Sequence, residues 1–157
     1  MESNEAWRQR WEAGQTGFHQ EVTNPLLVKY WASRVSNASA KVLVPLCGKS
    51  ADMVWLARRG HSVLGVEVVE LACQSFFGEQ EIPFETRTEG GFTVYASSDP
   101  TLRIELWCGD FFGLSRTDVG ELGACFDRAA IVALPPEVQP RYAAHLATLL
   151  PLSLIHI

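Results

Sequence analysis

Hydrophobic positions near the N-terminus follow helical spacing in two short segments. Trp7 and Trp11 lie four residues apart, which places both indole rings on one face of a helix. Asn24 then offers a helix cap and Pro25 suits the first helical position, and apolar residues recur at helical spacing as far as Trp31. The pattern predicts two N-terminal helices.

Short apolar runs follow these helices and alternate with further helical segments. Residues 42–44 and 62–67 are predicted to be strands buried on both faces of a parallel sheet. A helix capped by Ser50 is expected between them, and another over residues 71–77. This alternation predicts an α/β fold with a mainly parallel sheet and flanking helices.

The second half of the chain begins with a hairpin pattern and returns to a strand and a helix. Residues 92–95 and 102–107 are predicted to pair around a turn at 98–100. A further strand is expected over residues 125–132, and the prolines at 135–136 open a last helix. Apolar residues recur along that helix at Val138, Tyr142, Leu146 and Leu149.

Composition narrows the class of protein. The chain has 157 residues, of which 47% are hydrophobic and 20% charged, as is usual for one soluble globular domain. Its net charge of −5 argues against a nucleic-acid partner. The polar N-terminus does not resemble a signal peptide, and no apolar run approaches the length of a membrane span. We therefore expect a cytoplasmic protein whose partner is a small molecule.

Cysteine and histidine spacing indicates neither a metal site nor a disulfide framework. The cysteines are Cys47, Cys73, Cys108 and Cys125. None of them forms a CxxC pair, and the four histidines show no HxxxH spacing. Reduced thiols and no bound metal are the expectation.

The turn after the first predicted strand is the first place to expect a ligand, because open α/β sheets bind ligands beyond the carboxyl ends of their strands. Residues 46–49 contain a single glycine, Gly48, so the GxGxxG pattern of dinucleotide binding is absent. Leu43 stands where a phosphate-binding P-loop needs its first glycine. One glycine still allows close approach of a ligand, and the N–H groups at the next helix start suit a carboxylate.

Two acidic residues are candidates for binding a nucleoside. Glu67 ends the second predicted strand, 19 residues after Gly48, where an acid accepts hydrogen bonds from ribose hydroxyls; a solvated strand-end carboxylate is the alternative. Asp110 follows the predicted hairpin and is a candidate partner of an adenine amino group, with Phe111 or Phe112 packing on the ring. The alternative is a capping carboxylate beside two core phenylalanines.

Six short motifs together resemble one known family. They are Trp7-x-x-x-Trp11, Gly17-Phe18-His19, Val44-Pro45-Leu46-Cys47-Gly48-Lys49-Ser50, Arg59-Gly60-His61, Gly65-Val66-Glu67 and Asp127-Arg128-Ala129-Ala130. They resemble thiopurine S-methyltransferase, bacterial branch, over nearly all of residues 5–151. The Pro-Leu-Cys-Gly-Lys stretch is specific to that family, whereas an acid at the end of the second strand is generic.

The resemblance implies a class I (Rossmann-like) methyltransferase fold that uses S-adenosylmethionine. The residues that it implies for the cofactor pocket are Trp7, Trp11, Leu46, Glu67, Gly109, Asp110 and Arg128. Plain helix packing is the alternative for the two tryptophans. Arg128 is also the candidate catalytic residue, because a guanidinium stabilises a thiolate or an electron-rich purine; a salt bridge with Asp127 or Asp110 is its alternative. Phe18 would help to close the pocket over the substrate.

The activity that the resemblance implies is methyl transfer to thiopurines and other aromatic or heterocyclic thiols by a monomer. A methyltransferase for selenium, tellurium or other small soft nucleophiles is one alternative, and a non-catalytic nucleoside-binding domain is another. We expect one domain over residues 1–157, with a helical lid at about 1–36 and a core at about 40–157. The likeness fades after Pro151, so the family's last strands are expected to be missing, with residues 152–157 as a candidate fifth strand.

Overall fold

The computed structural model describes residues 4–14, 22–127 and 133–151. The helices are α1 (Asn4–Glu12), α2 (Pro25–Arg34), α3 (Asp52–Arg58), α4 (Glu70–Glu79), α5 (Arg116–Val119) and α6 (Gln139–Leu149), with a 3-10 helix at Phe111–Gly113. The strands are β1 (Lys41–Pro45), β2 (Ser62–Glu67), β3 (Phe84–Glu89), β4 (Phe92–Ser97), β5 (Ile104–Cys108) and β6 (Ala124–Cys125).

The strands form one six-stranded sheet in the order β3-β4-β5-β2-β1-β6. β1 pairs in parallel with β2 and β6, and β2 pairs in parallel with β5, whereas β4 is antiparallel to both of its neighbours. After β2 the chain forms β3 and β4 at the far edge, comes back to β5 beside β2, and then crosses to β6 on the other side of β1. Strand order therefore reverses at β1, and ligands bind at the carboxyl ends of strands beside such a reversal.

Helices cover both faces of the sheet. On one face α2, α3 and α4 bury residues such as Trp31, Met53 and Phe76 against Val42 and Val44 of β1. The other face packs the 3-10 helix, α5 and α6 against side chains that include Leu43. Alternate residues of β1 thus point to opposite buried faces, as the pleat of a strand requires. The predicted α/β class with a mainly parallel sheet and flanking helices is confirmed.

The predicted elements lie close to their expected bounds. The Asn24 side chain accepts a hydrogen bond from the Leu26 N–H at 2.9 Å and so caps α2. The predicted hairpin is β4 paired with β5, with Tyr95 opposite Leu106. The prediction that Ser50 caps α3 is wrong, because the cap residue is Ala51. The Ser50 hydroxyl instead accepts a hydrogen bond from the Asp52 N–H at 3.2 Å.

β3 was not predicted from the sequence. None of its six residues is buried, so it carries no apolar run that marks a strand. It is held by its pairing with β4 and by Arg87, which binds Glu105 on β5 at 3.1 Å. The expected strand over 125–132 is β6, which ends at Cys125; residues 128–132 and the candidate strand at 152–157 lie outside the described residues.

Within residues 4–14, 22–127 and 133–151, no helix combines the length and hydrophobicity needed to cross a bilayer. All four cysteines are free thiols. Three of them, Cys47, Cys73 and Cys125, are buried, and Cys108 is partly exposed.

A buried histidine joins α2 to the segments before β1 and β2. The Trp31 indole N–H donates to His61 Nε2 at 2.9 Å, and His61 Nδ1 lies 2.8 Å from the Ala40 carbonyl oxygen. Because an indole only donates and a carbonyl only accepts, the ring is neutral with its proton on Nδ1. Burial lowers the pKa of His61 below its ordinary value of 6.5.

We predict that His61 makes stability fall in mild acid. The folded state binds the proton less readily than the unfolded chain, so stability is complete above about pH 6.5 and is lost as the pH falls through the lowered pKa. Denaturant midpoints measured between about pH 8 and about pH 5 should fall less steeply for His61→Gln, which does not titrate. Parallel curves for the two proteins would contradict this role.

Candidate functional site

The turn after β1 has an unusual backbone. Leu46 and Gly48 have φ angles of 49° and 56°, in the left-handed region. That region costs a residue other than glycine about 1–2 kcal/mol, and such strain concentrates at functional sites. The turn adjoins the point where strand order reverses, so the sequence-predicted Leu46 and Gly48 lie where a ligand is expected.

The Glu67 carboxylate binds this turn. It is 7% exposed, and its Oε1 accepts from the Gly48 N–H at 3.0 Å while Oε2 accepts from the Val69 N–H at 2.8 Å. Burial raises the pKa of Glu67, and these N–H groups oppose that shift. Because each oxygen has two lone pairs, the arrangement, called here the Glu67 clamp, retains acceptor capacity for further donors.

The expectation of free N–H donors at the start of α3 is wrong for three groups. The Gly48 N–H binds Glu67, the Ser50 N–H binds the Cys47 carbonyl at 3.3 Å, and the Asp52 N–H binds the Ser50 hydroxyl. The Asp52 carboxylate is itself 1% exposed and accepts from the Asn24 N–H at 2.7 Å. The start of α3 is thus occupied largely by bonds within the chain.

α1 lies over the turn and the Glu67 clamp. The Trp11 ring is buried against Val69 and Ala72, and its edge is 3.5 Å from where a Cβ on Gly48 would lie. Trp7 is half-buried at the border of the same cluster. The structure thus brings both sequence-predicted tryptophans to this side of the site, and the packing alternative also holds for Trp11.

Gly109 is a glycine for reasons of packing. Its N–H donates to the Glu67 backbone carbonyl at 2.9 Å, which places it beside the clamp. A Cβ there would lie 2.5 Å from a ring carbon of Phe92, closer than real contacts allow. Gly109 therefore fixes how closely the end of β5 approaches Phe92.

Asp110 caps a helix, and the two phenylalanines that follow it differ in burial. The exposed Asp110 carboxylate caps the 3-10 helix by accepting from the Phe112 N–H at 2.9 Å, as the capping alternative supposed. Phe111 is buried against Tyr142, with ring centres 5.2 Å apart. Phe112 is half-buried, and the Arg141 guanidinium lies 3.9 Å from its ring centre. Of the two phenylalanines, only Phe112 is therefore partly exposed.

One residue, Leu134, and one contact, that of Asp127 with Tyr142, were not predicted near the same edge. Leu134 is partly buried and packs on the same hydrophobic cluster as Leu46 and Phe112, but it lies in a loop without a recognisable pattern. Asp127 follows β6 and accepts from the Tyr142 hydroxyl at 2.7 Å. Phe18 and Arg128, with the predicted salt bridge of Arg128, lie outside the described residues.

Comparison with known proteins identifies close relatives. A family model described as thiopurine S-methyltransferase (TPMT) matches residues 2–155. Thiopurine S-methyltransferase of Pseudomonas fluorescens Pf0-1 is 50% identical over 147 residues, which are 94% of this chain and 66% of that protein. A probable thiopurine S-methyltransferase of Yarrowia lipolytica is 44% identical over 149 residues, covering 94% and 68%. The chain therefore spans about two thirds of the length of these curated relatives.

Solved structures agree on the fold. A TehB-like SAM-dependent methyltransferase of Corynebacterium glutamicum has a TM-score of 0.52 at 17% identity, covering 94% of this chain and 66% of that one. Magnesium protoporphyrin IX methyltransferase of Synechocystis, solved with bound SAM, has a TM-score of 0.58 at 17% identity, covering 80% and 51%. The chain has the fold of SAM-dependent methyltransferases.

Gly48 and Gly90 offer a matched test of the turn. Both have a φ of 56°, and a Cβ on Gly90 would meet nothing within 4 Å, whereas one on Gly48 would make an ordinary contact with Trp11. We expect Gly48→Ala and Gly90→Ala to lower the free energy of unfolding equally, by about 1–2 kcal/mol, because only backbone strain is added. Denaturant titration measures this. A much larger loss for Gly48→Ala would show that Trp11 packs too closely for a methyl group.

Proposed function

The chain belongs to the thiopurine S-methyltransferase family, and on that premise we propose that it is an S-adenosylmethionine-dependent methyltransferase acting on aromatic and heterocyclic thiols, including thiopurines. The observation that carries the proposal is the Glu67 clamp at the end of β2. A buried carboxylate oriented by two backbone N–H groups is arranged to accept further hydrogen bonds in a fixed geometry.

The described residues fit the nucleoside part of this cofactor. The two ribose hydroxyls are donors, and the Glu67 oxygens retain lone pairs to accept from them. Asp110 is exposed beyond the end of β5, where its second oxygen can accept from the adenine amino group. Partly exposed apolar surface for the adenine ring comes from Leu46, Phe112 and Leu134.

The remaining predicted site residues would cover the nucleoside and face the acceptor. Trp7 and Trp11 on α1 form the wall beside the Glu67 clamp, and Gly109 brings the end of β5 close to it. Phe18 is proposed to close over the acceptor. Arg128 is proposed to stabilise the acceptor thiolate.

In the proposed reaction the main task of the protein is to align the acceptor with the methyl group. When bound, S-adenosylmethionine supplies a methyl group on a positively charged sulfur, a leaving group that needs no protonation. The protein holds the thiolate in line with that methyl group and excludes water, which accounts for most of the catalysis expected here. Aromatic thiols ionise readily near neutral pH, so we assign no general base.

The proposal includes a monomeric, cytoplasmic enzyme whose acceptor is a small molecule. Its net charge of −5 disfavours a nucleic-acid acceptor, and its free thiols suit a reducing compartment.

We predict that Glu67→Gln weakens cofactor binding. The glutamine amide turns one acceptor oxygen into a donor, which opposes either the Gly48 or the Val69 N–H and removes charge from the ribose bonds. Hydrogen bonds to charged groups contribute about 1.5–3 kcal/mol, so affinity should fall by roughly tenfold to a hundredfold. Calorimetric titration with S-adenosylmethionine measures this.

Glu85→Gln is the control for that titration, because Glu85 is an exposed glutamate on β3, at the far edge of the sheet. The affinity of Glu85→Gln for S-adenosylmethionine should equal that of the unmodified chain. Unchanged affinity in folded Glu67→Gln would rule out the ribose role.

A panel of acceptors tests the activity. With radiolabelled S-adenosylmethionine, we expect methyl transfer to thiopurines and other aromatic thiols, and little to aliphatic thiols, which remain protonated at neutral pH. Labelled product is measured after extraction. Cofactor binding without transfer to any acceptor would instead favour the non-catalytic nucleoside-binding alternative.

A further inference from the structure

A groove of about 310 Å³, called here the amino-edge groove, crosses the edge of the sheet at which β1 and β2 begin. The residues that line it include Lys41, Ser62, Leu64, Ala96, Arg103 and Glu105. Lys41 is opposite Ser62, and Glu105 is opposite both Leu64 and Ala96, so these side chains share one face of the sheet. The Glu67 clamp lies at the carboxyl end of β2, so the amino-edge groove is a separate site at the opposite edge.

The carboxylate that lines this groove already has partners. Arg87 donates to the two Glu105 oxygens at 3.1 and 3.3 Å, and the Trp107 indole N–H donates to Oε1 at 3.1 Å. Arg87 also binds Glu89, which lies towards the other edge of the sheet, opposite Phe92. Arg87 thus offsets the charge of Glu105 in the groove, while the Glu105 Oε2 retains a lone pair for one further donor.

Two positive charges of the groove have no acidic partner in the part of the chain that the structure describes. Within residues 4–14, 22–127 and 133–151, no carboxylate forms an ion pair with the Lys41 amine, which lies beside Gly120, or with Arg103. Arg103 donates from one guanidinium nitrogen to the Gly60 carbonyl oxygen at 2.8 Å. That bond holds Arg103 and leaves its other N–H groups for a ligand. The groove is therefore positive, although the chain has a net charge of −5.

We propose that the amino-edge groove binds a small phosphate monoester that carries hydroxyl groups. Lys41 and Arg103 bind the phosphate, and Glu105 accepts a hydrogen bond from a hydroxyl group. A phosphate monoester carries a charge of about −1.5 to −2 near neutral pH, which matches two cations, whereas a single carboxylate would leave one of them unpaired. The planar fork of Arg103 suits two phosphate oxygens, and Lys41 adds a point charge.

The size and lining of the groove favour an organic phosphate over the inorganic ion. Its volume of about 310 Å³ reaches the range of small-molecule pockets, which begins at about 300 Å³. Leu64 and Ala96 provide apolar surface for a carbon skeleton on either side of Glu105 in the sheet. Binding here does not depend on the proposed function, because the groove and the Glu67 clamp share no residue.

Nuclear magnetic resonance titration tests the site residue by residue. With glucose 6-phosphate as the probe, the backbone N–H signals of Ser62, Arg103 and Glu105 should shift and saturate, while those of Gly48 and Gly109 stay in place. Inorganic phosphate should shift the same signals with weaker affinity, and glucose should shift none. The proposal is overturned if the groove signals do not move, if glucose moves them equally, or if only Gly48 and Gly109 respond. Equal affinity for inorganic phosphate and glucose 6-phosphate would reject the role of Glu105.

Matched lysine variants separate the groove from the general charge of the surface. Lys41→Met keeps the aliphatic stem and removes one charge, so glucose 6-phosphate should bind about tenfold more weakly. Lys29→Met is the control, because Lys29 is exposed on α2, which packs on the other face of the sheet. The affinity of Lys29→Met should be unchanged, and equal losses in the two variants would overturn the site.

Arg103→Lys gives a second measurement that does not depend on the folding of Lys41→Met. The lysine keeps the positive charge but lacks the planar fork, so affinity for glucose 6-phosphate should fall several-fold. Unchanged affinity in this variant would overturn the assignment of Arg103 to the phosphate.

Discussion

The buried Glu67 carboxylate is the group on which the arrangement of the carboxyl edge depends. Burial opposes its charge and raises its pKa, and hydrogen bonds from the Gly48 and Val69 N–H groups offset part of that effect. The dependence is mutual, because leaving either N–H buried without an acceptor would cost about 1–3 kcal/mol. The left-handed turn after β1 presents the Gly48 N–H to the Glu67 carboxylate. The position of the carboxylate therefore depends on the strained backbone of that turn.

The same group sets where its neighbouring elements lie. Val69 caps α4 and packs under Trp11, so the N-terminal helix contacts the clamp through one of its donors. On the other side, Gly109 binds the Glu67 carbonyl and positions the segment that carries Asp110. Candidate contacts to ribose and adenine therefore share one rigid support, which keeps a binding site in its productive geometry.

Local sequence patterns predicted those parts of the fold that local physics determines. Continuous apolar runs gave β1 and β2, and the spacing from Gly48 gave Glu67. β3 was not predicted because an exposed edge strand needs no apolar pattern. It is held in the sheet by backbone hydrogen bonds to β4. The role of Asp52 at the start of α3 was not predicted for a different reason: it accepts from the Asn24 N–H, which is 28 residues away. Contacts at that separation leave no periodic trace in a sequence, and Leu134 reaches the site by the same kind of contact.

Charge and packing also decide how the thiols near the clamp differ from one another. Burial, and to a smaller extent Glu67, raises the pKa of Cys47. Glu67 acts on Cys108 in the same direction, but the Cys73 thiol on α4 outweighs it. Burial alone raises the pKa of a thiol, so Cys108 requires a specific partner to be the acidic one. The same helix begins at Val69, whose N–H donates to the Glu67 carboxylate. The start of α4 thus contributes to the setting of Glu67, and its buried face contributes to the setting of Cys108.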